Sequence, residues 1–424
     1  MTIHIIPPAT TFARRIHRLR SPGGIEAWLI EDHTLPIVSM QFGFRGGPVL
    51  DADGRTGSAR MLADLLLDGA GPMAGGAFRR ALGDRAIRLS FAVWSDSLRG
   101  ELKTLARNAE AAFDLLGLAL RTPRLDPADV ARVRDALQAD CRANLTRPSP
   151  VASQAFAARG FAGHPYARAP GGDLAGLAGI TREDLVALQA RMLGSRNLRV
   201  AVVGAIGPDA LAAGLDRAFA ELPGDAAAAI PEAALAGLGE RLVTRLDLPQ
   251  TTIRFGRPGI PRCDPDFAAA LVVTQCLGGG MASRLFQEVR EKRGLCYSIQ
   301  TTIQASEGVC TLVGSTATGN DRVSETLGVI QKEMQRITDA GLAPDEIERA
   351  KGYLLGSFKL RLDTSSAIAS VLLGIQLDGR DPDWLDERNE RIAAVTDKDV
   401  SRTATRLLGD GQLLAAVAGN PTEP

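Results

Sequence analysis

The segment Leu277–Gln304 reads LGGGMASRLFQEVREKRGLCYSIQTTIQ and begins with a leucine followed by three consecutive glycines. Glycine adopts backbone conformations that other residues avoid, so this run marks the boundary between two elements. The residues after the run predict a helix, because apolar side chains recur at helical spacing and form one stripe. The residues of that stripe are Met281, Leu285, Phe286 and Val289.

A basic turn ending at Gly294 follows the predicted helix, and the chain then alternates between two sets of side chains. Such alternation predicts a strand with one buried face. One set comprises Leu295, Tyr297, Ile299, Thr301 and Ile303, and the other comprises Cys296, Ser298, Gln300, Thr302 and Gln304. Arg290 therefore precedes the helix-to-strand turn and Tyr297 follows it, so both side chains could lean over one groove.

The stretch GGGMASRLFQEVREKRGLCYS resembles the carboxy-terminal half of the pitrilysin/insulinase-type zinc peptidases, the group that includes the mitochondrial processing peptidases. The resemblance implies that Arg290 and Tyr297 hold a substrate peptide. Without the resemblance, Arg290 is interpreted as an exposed arginine and Tyr297 as a tyrosine on the face of a sheet, and neither has a functional role.

The glycine run Gly278, Gly279 and Gly280 has two interpretations. It is either a mobile flap that contacts substrate or a turn that lets a helix and a strand pack closely. The turn is favoured because the glycines stand at the start of the predicted helix.

The length, charge and composition of the chain exclude several classes of function. A chain of 424 residues is expected to form two or more domains. Basic and acidic residues both number 49, which removes the electrostatic case for nucleic acid or an anionic membrane. No apolar run is long enough to span a membrane, and no secretory leader is visible, so we expect a cytoplasmic protein, or a periplasmic one if a leader has been removed. The 5 cysteines are scattered, which predicts free thiols.

Residues 221–240, ELPGDAAAAIPEAALAGLGE, are mostly Ala, Gly and Pro with few large side chains. This composition predicts a linker. The chain is thereby divided into an N-terminal domain, 1–220, and a C-terminal domain, 241–424.

The second half repeats the first. At a constant offset of 215 residues, the stretches 181–204 and 396–419 align without a gap. At an offset of 217, Pro127 faces Pro344, and each proline opens a predicted helix. The pairs at the first offset include Thr181 with Thr396, Asp184 with Asp399, and Gly204 with Gly419.

Each half reads as strand, helix, strand, several helices and a last strand, which suits an α+β fold with an antiparallel sheet covered by helices on one side. In the first half we predict a strand over Ile37–Arg45, a helix from about Ser58 to Leu67 and a helix over Leu102–Leu120. The resemblance implies the same architecture, with two tandem homologous domains.

The resemblance also implies a zinc-binding H-x-x-E-H helix in the first half, where two His bind the metal and the Glu activates water. Gly57 and Gly69 set the register, and the five positions read Arg60-Met61-Leu62-Ala63-Asp64. Arginine has no lone pair to offer, and alanine cannot take a proton. The region of the third ligand, 138–141, contains no Glu. Arg60, Ala63 and Asp64 are thus a degenerate motif, and no metal is expected on this chain.

Arg60 and Asp64 stand at i and i+4, where opposite charges on a helix can pair. One hypothesis is that their ion pair fills the two vacated ligand positions. The alternative is two exposed charges on a solvated face. A zinc site built from distant histidines is disfavoured, because His4, His17, His33 and His164 are widely separated.

By this resemblance, the chain keeps the residues that bind substrate in the family and lacks the residues that bind zinc and activate water. We predict a non-catalytic, substrate-binding subunit of a heterodimeric zinc peptidase, inactive alone, whose homologous H-x-x-E-H partner carries the zinc. Arg290 would bond peptide carbonyls and Tyr297 would donate toward the developing oxyanion. The alternative is a structural subunit of a larger assembly with no role in hydrolysis. An active homodimer is disfavoured, since no copy provides a base.

Overall fold

The computed structural model describes residues 12–224 and 229–422. His4 and residues 225–228 of the predicted linker lie outside the described residues. The helices are α1 Ser58–Leu65, α2 Gly75–Gly83, α3 Ala109–Arg121, α4 Pro127–Asn144, α5 Pro148–Gly160, α6 Leu174–Gly179, α7 Arg182–Met192, α8 Pro208–Phe219, α9 Phe267–Gly278, α10 Val323–Ala340, α11 Pro344–Leu360, α12 Ser365–Leu377, α13 Trp384–Ala393 and α14 Asp397–Leu408. The strands are β1 His17–Arg20, β2 Glu26–Glu31, β3 Ile37–Arg45, β4 Gly69–Ala70, β5 Met73–Ala74, β6 Arg88–Trp94, β7 Ser97–Leu105, β8 Leu198–Gly204, β9 Arg241–Arg245, β10 Gln250–Pro258, β11 Cys296–Ala305, β12 Cys310–Gly319 and β13 Leu414–Gly419.

The chain divides into two compact units. The first comprises the described parts of 1–135, 179–228 and 359–390. Its six-stranded sheet has the order β1-β2-β8-β3-β7-β6, in which only β2 and β8 run parallel. Phe42 on β3 lies in its core, where its ring contacts Phe219 of α8 edge to face at 5.5 Å.

The second unit comprises the described parts of 136–178, 229–358 and 391–424. Its five-stranded sheet has the order β11-β12-β10-β13-β9, and here only β9 and β13 run parallel. Side chains from α9, α10 and α14 form its main core against one face of the sheet. Both units are therefore α+β, as predicted, with a mainly antiparallel sheet and helices packed against it.

Each unit includes a helix from the other half of the sequence, which the order of elements could not reveal. In the first unit α12 packs on β3 and β8, where Gln376 donates from Nε2 to the carbonyl of Val200 at 2.9 Å. In the second unit α5 packs on β10 and β13, where Phe156 joins a buried cluster with Leu414 and Ala416. Helices thus lie on both faces of each sheet, and the expectation of one covered side was wrong.

The internal repeat is visible in the structure. Thr181 and Thr396 each begin a helix with a capping box, accepting from the amide of the Asp three residues on, at 3.2 Å in both. Pro127 and Pro344 each open a long helix, α4 and α11. The strand after each capped helix ends in glycine, at Gly204 and Gly419, with φ of +145° and +156°. Two copies of one local sequence therefore form two copies of one local structure.

The strand Ile37–Arg45 and a helix beginning at Ser58 are confirmed. The predicted helix Leu102–Leu120 was wrong at its start, because Ser97–Leu105 is strand β7 and the helix begins at Ala109. Alternate side chains of β7 are buried in the sheet, a period of two that the helix assignment overlooked.

The second half of the predicted linker is packed against the second unit. Leu235 is buried beside Phe156 and Leu414. The backbone amide of Ala236 donates to the carbonyl of Gly160 at 2.9 Å, and Arg159 forms a two-bond ion pair with Glu240. Residues 229–240 are therefore anchored to the second unit despite their Ala/Gly/Pro composition. The predicted domains 1–220 and 241–424 are continuous in sequence, whereas each compact unit also contains segments from the other half of the chain.

Candidate functional site

Helix α1 carries the degenerate motif in the first unit. Asp51 fixes its start by accepting from the amides of Gly57 and Ala59 at 2.7 and 2.8 Å. Gly57 has φ +93°, a conformation that favours glycine. Met61 and Leu62 turn inward and are fully buried, which leaves Arg60 and Asp64 on the outer side of the helix.

Arg60 and Asp64 form the ion pair that the i, i+4 spacing predicts. Nε of Arg60 lies 3.2 and 3.0 Å from the two carboxylate oxygens of Asp64. Ala63, at the position of the family's general base, is buried and carries no ionisable group. Throughout 12–224 and 229–422, no group of three or more His, Cys, Asp or Glu is arranged to hold a metal. The residues present at this helix do not fit a catalytic zinc.

Two of the described histidines have hydrogen-bond partners outside α1, and the third is exposed. His33 lies 2.7 Å from a carboxylate oxygen of Glu31, and the Nδ1 of His164 accepts from the amide of Tyr166 at 3.1 Å. His17 is exposed on β1.

Cys276, Cys296 and Cys310 offer no alternative nucleophile. Burial raises the pKa of the Cys276 thiol to about 12 and that of Cys310 to about 11. It also raises the pKa of Cys296. A reactive cysteine needs a lowered pKa, because the thiolate is the attacking species. All five cysteines are free thiols, and only Cys263 is fully exposed.

The glycine run forms a close approach between α9 and β11 in the second unit. Gly278 ends α9, and a Cβ atom added there would lie 2.5 Å from Oγ1 of Thr301. A Cβ on Gly279 would lie 2.2 Å from Oε1 of Gln275, and Gly280 has φ +149°. This geometry is that of the tight turn that the sequence favours over a flap.

The segment after the glycines differs from the predicted regular helix. It forms a turn and then a π-helix, Phe286–Glu291. Leu285 and Val289 are fully buried as expected, but Met281 is 73% exposed and does not belong to the buried stripe. The reason is that Met281 lies in the turn, where the helical period does not apply. π-Helical turns inside longer helices occur frequently at functional sites.

Glu288 organises the basic turn that follows. Its carboxylate accepts from Lys292 at 2.5 Å and from Arg293 at 2.6 Å. Hydrogen bonds from these two cations, Arg293 foremost, lower the pKa of Glu288. Arg284 anchors the start of the segment by a double hydrogen bond to Glu346, at 2.9 and 2.8 Å. Ion pairs therefore hold both ends of this segment, and Arg290 takes no part in these pairs.

Arg290 lies between two aromatic rings. Its Cζ atom is 4.6 Å from the ring centre of Phe286 and 5.2 Å from that of Tyr297. Its nearest carboxylate, Glu291, is 3.8 Å away, and no side-chain hydrogen bond from Arg290 occurs among the described residues. The rings fix the guanidinium plane while its N–H groups stay available. The supporting role of Phe286 was missed from the sequence, although its i, i+4 spacing from Arg290 was a usable signal.

Tyr297 projects from the sheet because of a β-bulge. The pairing of β11 with β12 shifts register between Cys296 and Ile299, so that Tyr297 and Ser298 are both exposed. Tyr297 is 85% exposed, whereas Ile299 and Thr301 return to the predicted alternation and are buried. The alternation of the sequence does not show this bulge. The bulge places Tyr297 beside Arg290.

A cavity of about 330 Å³ lies beside Tyr297. Its wall includes the residues Gln250 and Arg322. These groups can donate hydrogen bonds and Gln250 can also accept them, so the cavity suits polar atoms of an extended chain.

Comparison with known proteins identifies the family of this site. The family model described as the peptidase M16 inactive domain matches residues 179–354, which include the glycine run, Arg290 and Tyr297. This segment belongs to the M16 peptidase family, as an inactive domain. The resemblance drawn from Leu277–Gln304 is thereby confirmed for the matched segment.

Curated relatives match different lengths of this chain. An uncharacterized zinc protease of Streptomyces coelicolor is 37% identical over 169 residues, which cover 40% of this chain and 37% of that protein. The match therefore spans little more than a third of that relative. The non-peptidase homolog YmxG of Helicobacter pylori is 26% identical over 338 residues, covering 80% of this chain and 78% of that protein.

A solved structure supports the fold. The crystal structure of a peptidase M16 inactive domain from Pseudomonas fluorescens matches with a TM-score of 0.89 at 23% identity, over 95% of this chain and 97% of that one. In the described part of this protein, no helix has both the length and the apolar character needed to cross a bilayer.

Proposed function

We propose that this protein is the non-catalytic, substrate-binding subunit of a heterodimeric zinc peptidase. Its partner would be a homologous M16 chain that carries the H-x-x-E-H helix and the zinc. The peptide would be bound by Arg290 and Tyr297. The non-peptidase naming of the Helicobacter pylori relative agrees with a subunit that does not hydrolyse peptides itself.

The observation that carries this proposal is the stacking of Arg290 between Phe286 and Tyr297. A structural arginine usually uses its five N–H groups on carboxylates or carbonyls of its own chain. Here the neighbouring Arg284 and Arg293 do so, whereas Arg290 keeps its donors available beside an exposed tyrosine. A held guanidinium and phenol suit the carbonyl oxygens of an extended peptide.

Helix α1 of this chain lacks the groups needed to bind zinc and activate water. Arg60 and Asp64 satisfy each other, and Ala63 can neither accept nor deliver a proton. Water activation must therefore come from the partner. This chain would bind the peptide, orient its carbonyl groups and donate hydrogen bonds from Arg290 and Tyr297. Free cysteines fit a reducing compartment, and we place the protein in the cytoplasm.

The test is a reconstitution. The chain is mixed with an H-x-x-E-H M16 chain from the same genome, and cleavage of a quenched fluorescent peptide is followed. We expect no cleavage by this chain alone and cleavage by the mixture. Arg290→Ala is expected to lower kcat/KM of the mixture about 100-fold and Tyr297→Phe about 10-fold or more. Arg293→Ala is the matched control, because Arg293 is bound to Glu288.

The competing function is a structural subunit without a role in hydrolysis. In that case complex formation, measured by size-exclusion chromatography, would persist while cleavage stayed indifferent to Arg290→Ala and Tyr297→Phe. Cleavage by the partner at the same rate with and without this chain would also contradict the proposal.

A further inference from the structure

The two faces of the five-stranded sheet differ in polarity. One face contacts the main apolar core of the second unit. On the opposite face, α5 and Leu235 cover an apolar area that includes Val313, Leu414 and Ala416. The rest of that face is open and polar. Its exposed members on the edge strand β11 are Ser298, Gln300, Thr302 and Gln304.

Arg254 stands at the border between the covered and the open area. On β10 it pairs with Ser315 of β12 and Ala416 of β13, and Ser315 pairs in turn with Gln300. Cross-strand partners share a face, so Arg254 lies on the same face as Gln300 and Gln304. Its Nη2 donates to Oε1 of Gln304 at 3.2 Å.

The guanidinium of Arg254 is partly desolvated and has no counter-ion. Its Cζ atom lies 5.9 Å from the ring centre of Phe156 on α5. Among the residues that the structure describes, no carboxylate pairs with it, and Gln304 is its one hydrogen-bonded side chain. Burial lowers the pKa of Arg254 from its ordinary value, since the charged form loses water.

A half-buried cation without an acid is unusual. Burying a charge is unfavourable unless it is paired, and other partly buried arginines of this unit have partners such as Glu240 for Arg159 and Glu346 for Arg284. A ligand carboxylate would supply the missing counter-charge through two parallel N–H···O bonds. The amide group of Gln304 stands beside the guanidinium and could donate to the same anion.

We propose that this face, named here the Arg254 face, binds a carboxylate of an extended peptide and thereby gives the subunit a preference for acidic peptides. The face comprises Arg254, Gln300, Thr302, Gln304 and Ser315. This inference rests on the proposed function, because it assigns the class of peptide that the same subunit holds.

The strand geometry sets where the acid should stand. Tyr297 lies three residues before Gln300 on β11, and Arg254 lies two strands away from Gln300. Strand rise and strand spacing put the Cα atoms of Tyr297 and Arg254 about 14 Å apart, and the guanidinium of Arg254 reaches further along the sheet to Gln304, seven residues after Tyr297 on β11. The acidic group is therefore expected about four to seven residues from the residue that Tyr297 contacts.

The experiment is fluorescence anisotropy with the full chain and labelled ten-residue peptides in matched sets. One set scans a single Glu along an otherwise neutral peptide with an amidated C-terminus, with Gln at the same position as the isostere. A second set has no acidic side chain and carries either a free or an amidated C-terminus. We expect about tenfold tighter binding for the acidic member of one set. The set that shows it identifies the source of the carboxylate.

Arg254→Gln should abolish this preference while Arg254→Lys keeps part of it. Arg349→Gln is the control, because Arg349 is exposed on α11 and pairs with Asp345 at 3.0 Å. Circular dichroism of each variant checks folding. Equal binding of acidic and neutral peptides by the folded wild-type chain, or a preference that survives Arg254→Gln, overturns the inference.

Failure of this inference can be told from failure of the proposed function. If peptides bind without acid preference and binding still weakens on Arg290→Ala, only the role of the Arg254 face is lost. If no peptide binds this chain and the reconstituted cleavage ignores Arg290→Ala, the proposed function fails as well.

Discussion

Arg60 donates from Nε to both carboxylate oxygens of Asp64, at 3.2 and 3.0 Å, across the two helix positions that the sequence resemblance assigns to zinc ligands. The pair neutralises two charges on the outer side of α1 and leaves no lone pair of Arg60 for a metal. We therefore expect the purified chain to bind no stoichiometric zinc. Elemental analysis after dialysis checks this, and one tightly held zinc per chain would contradict it.

Two glycines make room for phenylalanine rings in equivalent strand pairs. A Cβ on Gly100 would lie 2.0 Å from Cζ of Phe42, and one on Gly314 would lie 2.3 Å from Cζ of Phe255. Both rings are buried and cannot move aside. Gly100→Ala and Gly314→Ala should each lower the free energy of unfolding by about 1 to 3 kcal/mol in urea titrations. Gly328→Ala is the control: it lies in α10 with open space around its Cβ, so no loss is expected.

The anchored part of the linker gives a further prediction. Leu235 is buried against Phe156 and Leu414, so Leu235→Ala should lower the free energy of unfolding by about 2 to 4 kcal/mol. Leu238→Ala, three residues on and 42% exposed, should change it by less than about 1 kcal/mol. Equal effects of the two changes in urea titrations would show that 229–240 behaves as an unanchored linker.

The capping box of α14 predicts a pH dependence. Hydrogen bonds from the Thr396 hydroxyl and amide, with Arg402 following, lower the pKa of Asp399 from 3.8 to about 2. The folded chain thus holds this proton less tightly than the unfolded chain, and the stabilising contribution is present above pH 4 and disappears toward pH 2. Asp399→Asn should therefore be less stable than wild type at pH 6, with a difference that shrinks between pH 4 and 2.

The control for this titration is Asp397→Asn. Asp397 is exposed in the same first turn and makes no side-chain hydrogen bond within the described part of the chain. Because Asp397→Asn removes no side-chain hydrogen bond, it should lower the free energy of unfolding at pH 6 less than Asp399→Asn does. A difference between wild type and Asp399→Asn that stays constant from pH 6 to pH 2 would show that the cap does not contribute through its charge.

Local sequence signals predicted the parts of the fold that depend on neighbouring residues. The Thr-x-x-Asp pairs at Thr181 and Thr396 specify helix starts through contacts within one turn, and both capping boxes formed. Prolines do the same for α4 and α11. In contrast, the exchange of α5 and α12 between the units depends on contacts hundreds of residues apart, and no period within those helices encodes it.

The candidate site shows the same limit. Alternation placed Ile299 and Thr301 correctly, but the bulge that exposes Tyr297 depends on the pairing of β11 with β12. Arg254 reads as an ordinary strand residue in the sequence. Its lack of a counter-ion appears only when β10, β12 and α5 are assembled around it.

The geometry of Arg290 allows one more test of its role. A lysine would keep the positive charge but lose the planar group that stacks between Phe286 and Tyr297 and can form two parallel hydrogen bonds. If Arg290 binds peptide carbonyls in a fixed plane, Arg290→Lys should lower kcat/KM of the reconstituted peptidase about tenfold, between wild type and Arg290→Ala. Arg293→Lys should leave kcat/KM unchanged, since a lysine can still pair with Glu288. Full activity of Arg290→Lys would reduce the role of Arg290 to simple charge, because the ammonium cannot reproduce the stacked, forked geometry.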